Sequence, residues 1–230
     1  QHVNGREYHL YLPLYNTVTW LEMTVPAESM LKPLRPRRDK PVVVYGTSIA
    51  QGGCASRPGL AWPAILGRKL ERPVVNLGFS GNGRLEPELT ALMAEVDARL
   101  YVLDCLPNMM SAALKGQELK NRLTAAVLWL RTQRPKVPVL LTDHAGYTDE
   151  ALNAVHLKEY QDANQSLAEV FDSLKTAGLT GIYRLTKEDI GQNIESMVDG
   201  VHPNDIGMMR YAEAYEKRIR EILQETAGTA

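Results

Sequence analysis

At 230 residues the chain is long enough to bury a full α/β core, and one large domain is the natural reading. Its 26 Lys and Arg against 27 Asp and Glu leave a net charge of −1, which gives no electrostatic case for nucleic acid and suits a neutral or small substrate. No apolar run approaches the roughly 20 residues of a membrane-spanning helix, and two cysteines, Cys54 and Cys105, are too few for a disulfide scaffold or a four-cysteine zinc site.

Residues 1–40 differ from the rest. Tyr8–Leu12 and Val18–Val25 read as two strands parted by Pro13 and Asn16, and a basic, proline-bearing linker, Pro33–Lys40, follows. Two strands do not make a stable domain alone, so this segment is expected to be the tail of an upstream β domain or an addition docked on the main body, residues 41–230. The start at Gln1 rather than Met fits a chain with something ahead of it, so a missing leader says little about compartment.

From Pro41 onward, short apolar runs alternate with helical patterns. Val42–Tyr45, Val74–Leu77, Leu100–Asp104, Val137–Thr142 and Gly181–Leu185 read as five strands. A helix is expected from Trp62-Pro63, with proline in its first turn, and another over Glu86–Val96. Leu119, Leu123, Ala126, Val127 and Leu130 have helical spacing, and Trp129 is assigned to the core with them. Thr148-Asp149-Glu150 is expected to cap a helix running to Thr176, and Asn204-Asp205 to open the last one. Continuously apolar strands alternating with helices predict an α/β fold with a mostly parallel sheet covered on both faces.

Ligands bind such sheets outside the carboxyl ends of the strands. Ser48 follows the first strand, in Gly46-Thr47-Ser48-Ile49. Gly78, Gly81 and Gly83 follow the second, Asn108 follows the third, and His202 lies just before the last helix. A serine hydroxyl is a poor nucleophile unless a base stands beside it. Asp199-Gly200-Val201-His202 offers that base, with a carboxylate three residues ahead to hold Nδ1 and aim Nε2 outward. The plainer roles are a helix cap for Ser48 and an ordinary turn for Asp199 and His202. His144 is a rival base, though Asp143 beside it cannot readily orient it. The glycine-rich loop Phe79–Arg84 lacks the third glycine of a dinucleotide fingerprint and is followed by no Gly-Lys-Ser/Thr. Its better use is a backbone N–H at Gly81 aimed at a reacting carbonyl, with the Asn108 amide as a second donor.

In this order, and near these strand ends, Gly46-Thr47-Ser48-Ile49, Gly81, Asn108 and Asp199-x-x-His202 resemble the blocks of the SGNH (GDSL-like) hydrolases. The resemblance covers residues 41 to about 222. It implies a flavodoxin-like three-layer α/β/α sandwich with Ser48 as nucleophile and His202 as base. Asp199 would be its partner, and an oxyanion hole would form from the Ser48 N–H, the Gly81 N–H and the Asn108 side chain. It departs from the family at Thr47, where Asp is usual, and at Leu106-Pro107-Asn108-Met109, where Gly-x-Asn-Asp is usual. The stretch Leu10–Asn16 also resembles the end of a Gly-x-Asp-Leu-Tyr β domain that precedes one bacterial subgroup, although Glu7 and His9 occupy its Gly and Asp places.

The resemblance implies a serine esterase or acylhydrolase working through an acyl-serine, removing acetyl or other short acyl groups from a carbohydrate. The alternatives are a lipase or thioesterase for longer chains and a non-catalytic carbohydrate-binding protein on the same fold. No cluster of His, Cys and acidic residues has metal-ligand spacing, so a mechanism without metal or cofactor is expected, and the resemblance implies an acylated saccharide as partner. If the first and third strands are neighbours, Cys54 and Cys105 lie beyond adjacent strand ends and are expected to form a disulfide, which would fit a secreted or periplasmic protein. Arg57 and Met109 are further candidates, for gripping a polar substrate group and lining an acyl pocket, and Trp62 for the core rather than a sugar platform.

Overall fold

The computed structural model describes residues 6–225. Its five strands are β1 (Val42–Gly46), β2 (Val74–Gly78), β3 (Leu100–Asp104), β4 (Val139–Thr142) and β5 (Ile182–Leu185). They form one sheet in the order β2-β1-β3-β4-β5, and every pairing is parallel. Every residue of β1 and β3 is buried, which is why these strands read as unbroken apolar runs rather than alternating ones.

Among the described residues seven α-helices accompany the strands, the last two after β5: α1 (Ser48–Gln51), α2 (Trp62–Lys69), α3 (Pro87–Glu95), α4 (Gln117–Gln133), α5 (Ala154–Thr176), α6 (Lys187–Ile190) and α7 (Asp205–Leu223). Successive strand residues feed opposite cores. Val43, Tyr45, Tyr101 and Leu103 pack with apolar residues of α3, α4 and α5. Val42, Val44, Leu100 and Val102 pack with those of α1, α2 and α7. Trp62 is fully buried on that second side and stacks on Tyr215 of α7, ring centroids 4.2 Å apart. The register puts Gly46, Gly78 and Asp104 level with one another at the carboxyl edge of the sheet.

Three expectations are corrected. Tyr8–Leu12 and Val18–Val25 are not strands, for residues 6–40 contain no helix or strand. A strand requires a neighbour to complete its ladder, and no described segment lies alongside to supply one. The segment touches the body at separate points, including Gln51 Nε2 to Leu14 O at 2.9 Å and an Arg68 guanidinium N–H to the Tyr11 hydroxyl at 2.9 Å. Second, α5 begins after Asn153, whose side chain caps it, and not at Thr148; Asp149 instead receives the His156 ring and the Asn153 amide. Third, Trp129 is 45 % exposed, because it lies off the stripe of α4 that buries Leu119, Leu123, Ala126, Val127 and Leu130.

Burial separates the two tryptophans energetically. Trp62→Ala is expected to lower the unfolding free energy by about 3–5 kcal/mol in urea titration, and Trp129→Ala by no more than about 0.5 kcal/mol. Equal losses would contradict this packing.

Candidate active site

The turn that carries Ser48 is built from glycines. A Cβ on Gly46 would sit 2.7 Å from the Ala50 Cβ, one on Gly78 2.1 Å from the Gln51 nitrogen, and one on Gly83 2.1 Å from the Gly46 oxygen. No side chain fits at these three points, so α1 rests directly on the ends of β1 and β2. Thr47 caps α1, its Oγ accepting from the Ile49 N–H at 3.3 Å. The capping role is thus filled by Thr47, and the Ser48 hydroxyl is left for other use. Gly52, with φ of +108°, ends the helix, and the Gly52 and Gly53 N–H groups both donate to the Ser48 carbonyl, at 3.0 and 2.8 Å.

His202 comes from a tight loop ahead of α7. Met197 and Pro203 form an antiparallel bridge, and the Val198 N–H donates to the His202 carbonyl at 2.8 Å. Asp199 Oδ1 accepts the N–H groups of Val201 and His202 at 3.1 and 2.8 Å, while Oδ2 lies 2.7 Å from His202 Nδ1. His202 Nε2 is 2.8 Å from Ser48 Oγ, 154 residues away in sequence. Partial burial pushes the Asp199 carboxyl upward, but the two backbone N–H groups and the His202 ring outweigh it and hold the group below the ordinary carboxylate value. The carboxylate therefore stays charged, keeps the Nδ1 proton, and leaves Nε2 to accept from the serine. Ser56 N–H and Oγ donate to Asp205 at 2.9 and 2.7 Å, which ties the loop after the nucleophile to the start of α7.

Three candidate donors lie at the same end of the sheet. The Ser48 N–H is the first of α1 and has no acceptor within the helix. The Gly81 backbone has φ of +69°, and a Cβ there would meet nothing within 4 Å, so left-handed backbone rather than crowding calls for glycine. Asn108 ends the short 3₁₀ turn Leu106–Asn108 and donates from Nδ2 to the Asn82 carbonyl. That bond fastens it to the glycine loop and leaves its second amide hydrogen to give.

Comparison with known proteins agrees with this geometry. The GDSL-like Lipase/Acylhydrolase family matches residues 39–220. The chain belongs to this family. A Bacteroides ovatus protein described as a GDSL-like lipase is similar at 33 % identity and a TM-score of 0.76, over 83 % of this chain and 56 % of that one. The chain thus spans little more than half the length of that relative. Two further structures share the fold: the salicylyl-acyltransferase SsfX3 of a tetracycline biosynthetic pathway, at 19 % identity and TM-score 0.70, over 82 % of this chain and 56 % of that one; and a family two carbohydrate esterase from Clostridium thermocellum, at 14 % and 0.66, over 85 % and 68 %. No curated protein matches.

Other candidates in this GDSL-like domain fare unevenly. Met109 is fully buried in the α3–α4–α5 core and lines no acyl pocket; its neighbour Met110 instead borders a cleft of about 700 Å³ between α4 and α5. Arg57 is exposed beside the site, and its charge helps hold the Asp205 carboxyl down, after the two bonds from Ser56. His144 is withdrawn from any role as base. It is buried, its Nδ1 accepts from the Gly146 N–H at 2.9 Å, and burial pushes its pKa down to about 3. Asp143 binds Arg184 at 2.7 and 2.8 Å and does not orient it. Cys54 Sγ, an Asp199 oxygen and a His202 nitrogen lie within 4.8 Å of one another, but a metal there would take Asp199 and His202 from their pairing with each other and with Ser48.

The expected disulfide is not present, for both thiols are free. The strand ends are adjacent as anticipated, but Cys105 turns inward and its Sγ donates to the Tyr45 carbonyl at 3.5 Å, while Cys54 faces solvent. Iodoacetamide is expected to modify Cys54 alone in the native protein and both thiols in urea. Protection of both until a reductant is added would restore the bridge.

Asp104 carried no assigned role, yet it is buried beneath the nucleophile turn, with Oδ2 unpartnered among the described residues. Burial lifts its pKa from 3.8 to about 7, partly opposed by the Tyr215 hydroxyl. The unfolded chain ionises first as pH rises, so the neutral acid's contribution is full below about pH 4 and is lost as pH passes 7. Asp104→Asn is therefore expected to gain a few kcal/mol on the wild type between pH 4 and pH 8, read from unfolding curves. A gap that stays constant with pH would refute this.

Proposed function

We propose that this domain is a serine esterase that removes acetyl or other short acyl groups from a carbohydrate by way of an acyl-serine. The observation that carries the reading is the unbroken line Ser48 Oγ, His202 Nε2, His202 Nδ1, Asp199 Oδ2, with steps of 2.8 and 2.7 Å across the two contacts. His202 takes the serine proton as Oγ attacks the acyl carbon. The carbonyl oxygen gains negative charge and is met by the N–H groups of Ser48 and Gly81 and the amide of Asn108. The imidazolium, steadied by Asp199, then protonates the departing alkoxide. A water, deprotonated by the same nitrogen, releases the acid and restores the serine.

The carbohydrate reading is supported by analogy. Proteins sharing the fold include two family two carbohydrate esterases, one of them solved with cellohexaose, at identities that bear on fold alone. On the same reading the protein works outside the cytoplasm.

Ser48→Ala is expected to abolish fluorophosphonate labelling and ester hydrolysis. Asp199→Asn should lower kcat on the order of 10⁴-fold, and Asn108→Ala about 10²- to 10³-fold. Acetyl nitrophenyl esters should be cleaved faster than octanoyl or longer ones, and the reverse order would favour a lipase or thioesterase. A Ser48→Ala protein that keeps its hydrolytic rate would end the proposal. Sugar binding by a wild type that is never labelled would favour a carbohydrate-binding protein.

A further inference from the structure

The segment ahead of the sheet reaches the site. Around the point that a Cβ on Gly53 would occupy stand three atoms: the Tyr15 hydroxyl at 3.0 Å, the Ser48 carbonyl oxygen at 3.2 Å and His202 Cδ2 at 3.4 Å. The hydroxyl of an N-terminal residue thus shares one small space with the backbone of the nucleophile and the ring of the base. Tyr15 is 54 % exposed, so a ligand at the rim can touch it.

Tyr15 is held there by contacts of the residues that precede it. Gln51 of α1 donates from Nε2 to the Leu14 carbonyl at 2.9 Å, and its Oε1 accepts the Ser80 N–H at 2.7 Å. One side chain thereby joins the N-terminal segment, the nucleophile helix and the Gly81 loop. The Leu14 Cδ1 lies 2.6 Å from where a Gly52 Cβ would stand, so the segment closes down on bare backbone. Farther back, Tyr11 lies over Gly59 and under the Arg68 guanidinium, 5.4 Å from its ring centre. Partial burial raises the Tyr15 pKa, with the Ser80 side chain opposing and Cys54 adding to the rise, so the phenol keeps its proton wherever the esterase reaction runs.

We propose that Tyr15 is a substrate-binding residue, its hydroxyl bonding an oxygen of the alcohol half of the ester. Direction follows from the ring: Cδ2 is bonded to Nε2, the atom that hands its proton to the departing oxygen in the reaction proposed above, whereas the acyl oxygen faces Gly81 and Asn108. The Tyr15 hydroxyl and Cδ2 border the same point at Gly53, so this hydroxyl, which also reaches the Ser80 side chain, is placed to meet what lies next to the ester oxygen on the alcohol side. Its phenol both gives and accepts hydrogen bonds, which suits an alcohol carrying further hydroxyls, as a saccharide does. The inference rests on the esterase reading.

Tyr15→Phe in the full chain keeps the ring and removes only the hydroxyl. An O-acetylated xylooligosaccharide and p-nitrophenyl acetate, whose leaving group carries no neighbouring hydroxyl, are compared, with the rate of fluorophosphonate labelling as a third readout. The KM for the saccharide is expected to rise roughly five- to tenfold, with kcat, the nitrophenyl reaction and labelling changed less than about twofold. An unchanged KM, or equal losses on both substrates, would overturn the assignment of Tyr15 while labelling of Ser48 left the esterase reading standing. A wild type that is not labelled would overturn the esterase reading and this inference with it. A wild type that is labelled and cleaves only the nitrophenyl ester would remove the saccharide from both.

Discussion

Backbone packed against backbone sets the position of Ser48. A side chain at Gly78, whose Cβ would lie 2.1 Å from the Gln51 nitrogen, or at Gly46, 2.7 Å from the Ala50 Cβ, would force α1 off the strand ends, and one at Gly83 would push the glycine loop off the Gly46 carbonyl, 2.1 Å away. A contact of 2.8 Å between Ser48 and His202 does not survive such a shift. The Ser48–His202 distance is therefore a consequence of the sheet's edge, and the edge is rigid because β1 and β3 are buried from end to end.

The second anchor is electrostatic. Asp199 receives two N–H groups and the His202 ring, so the loop that carries His202 is folded around its own carboxylate. Ser56 and Asp205 then join this loop's far end to the loop after the nucleophile. The two halves of the site, remote in sequence, share a rim through side chains that take no part in the chemistry. Asp104, buried against Gly46, is neutral below about pH 7.

Much of the fold was legible because parallel strands buried on both faces leave a simple trace, as Val42–Tyr45 and Leu100–Asp104 did. The Ser48 and His202 pair was legible through order and strand-end position, which topology converts into proximity. What escaped depends on direction over one or two residues, or on partners outside the window. Met109 and Met110 are adjacent, yet the turn at Asn108 sends the first into the core and the second to a cleft. Cys105 is placed as anticipated but points under the sheet. Thr148 and Asn153 both have capping side chains, and the pairing of Asp149 with His156 goes with the later start. Tyr8–Leu12 has strand composition but no ladder, and Tyr15 belongs to no motif, so only the folded chain brings it to the rim.

The most direct test is a crystal structure of the chain after reaction with a small phosphonofluoridate. The account predicts phosphorus bonded to Ser48 Oγ, its phosphoryl oxygen within hydrogen-bonding distance of the Gly81 N–H and Asn108 Nδ2, and the His202 ring still on Asp199. Phosphorus on another residue, or a phosphoryl oxygen turned away from Gly81 and Asn108, would contradict it.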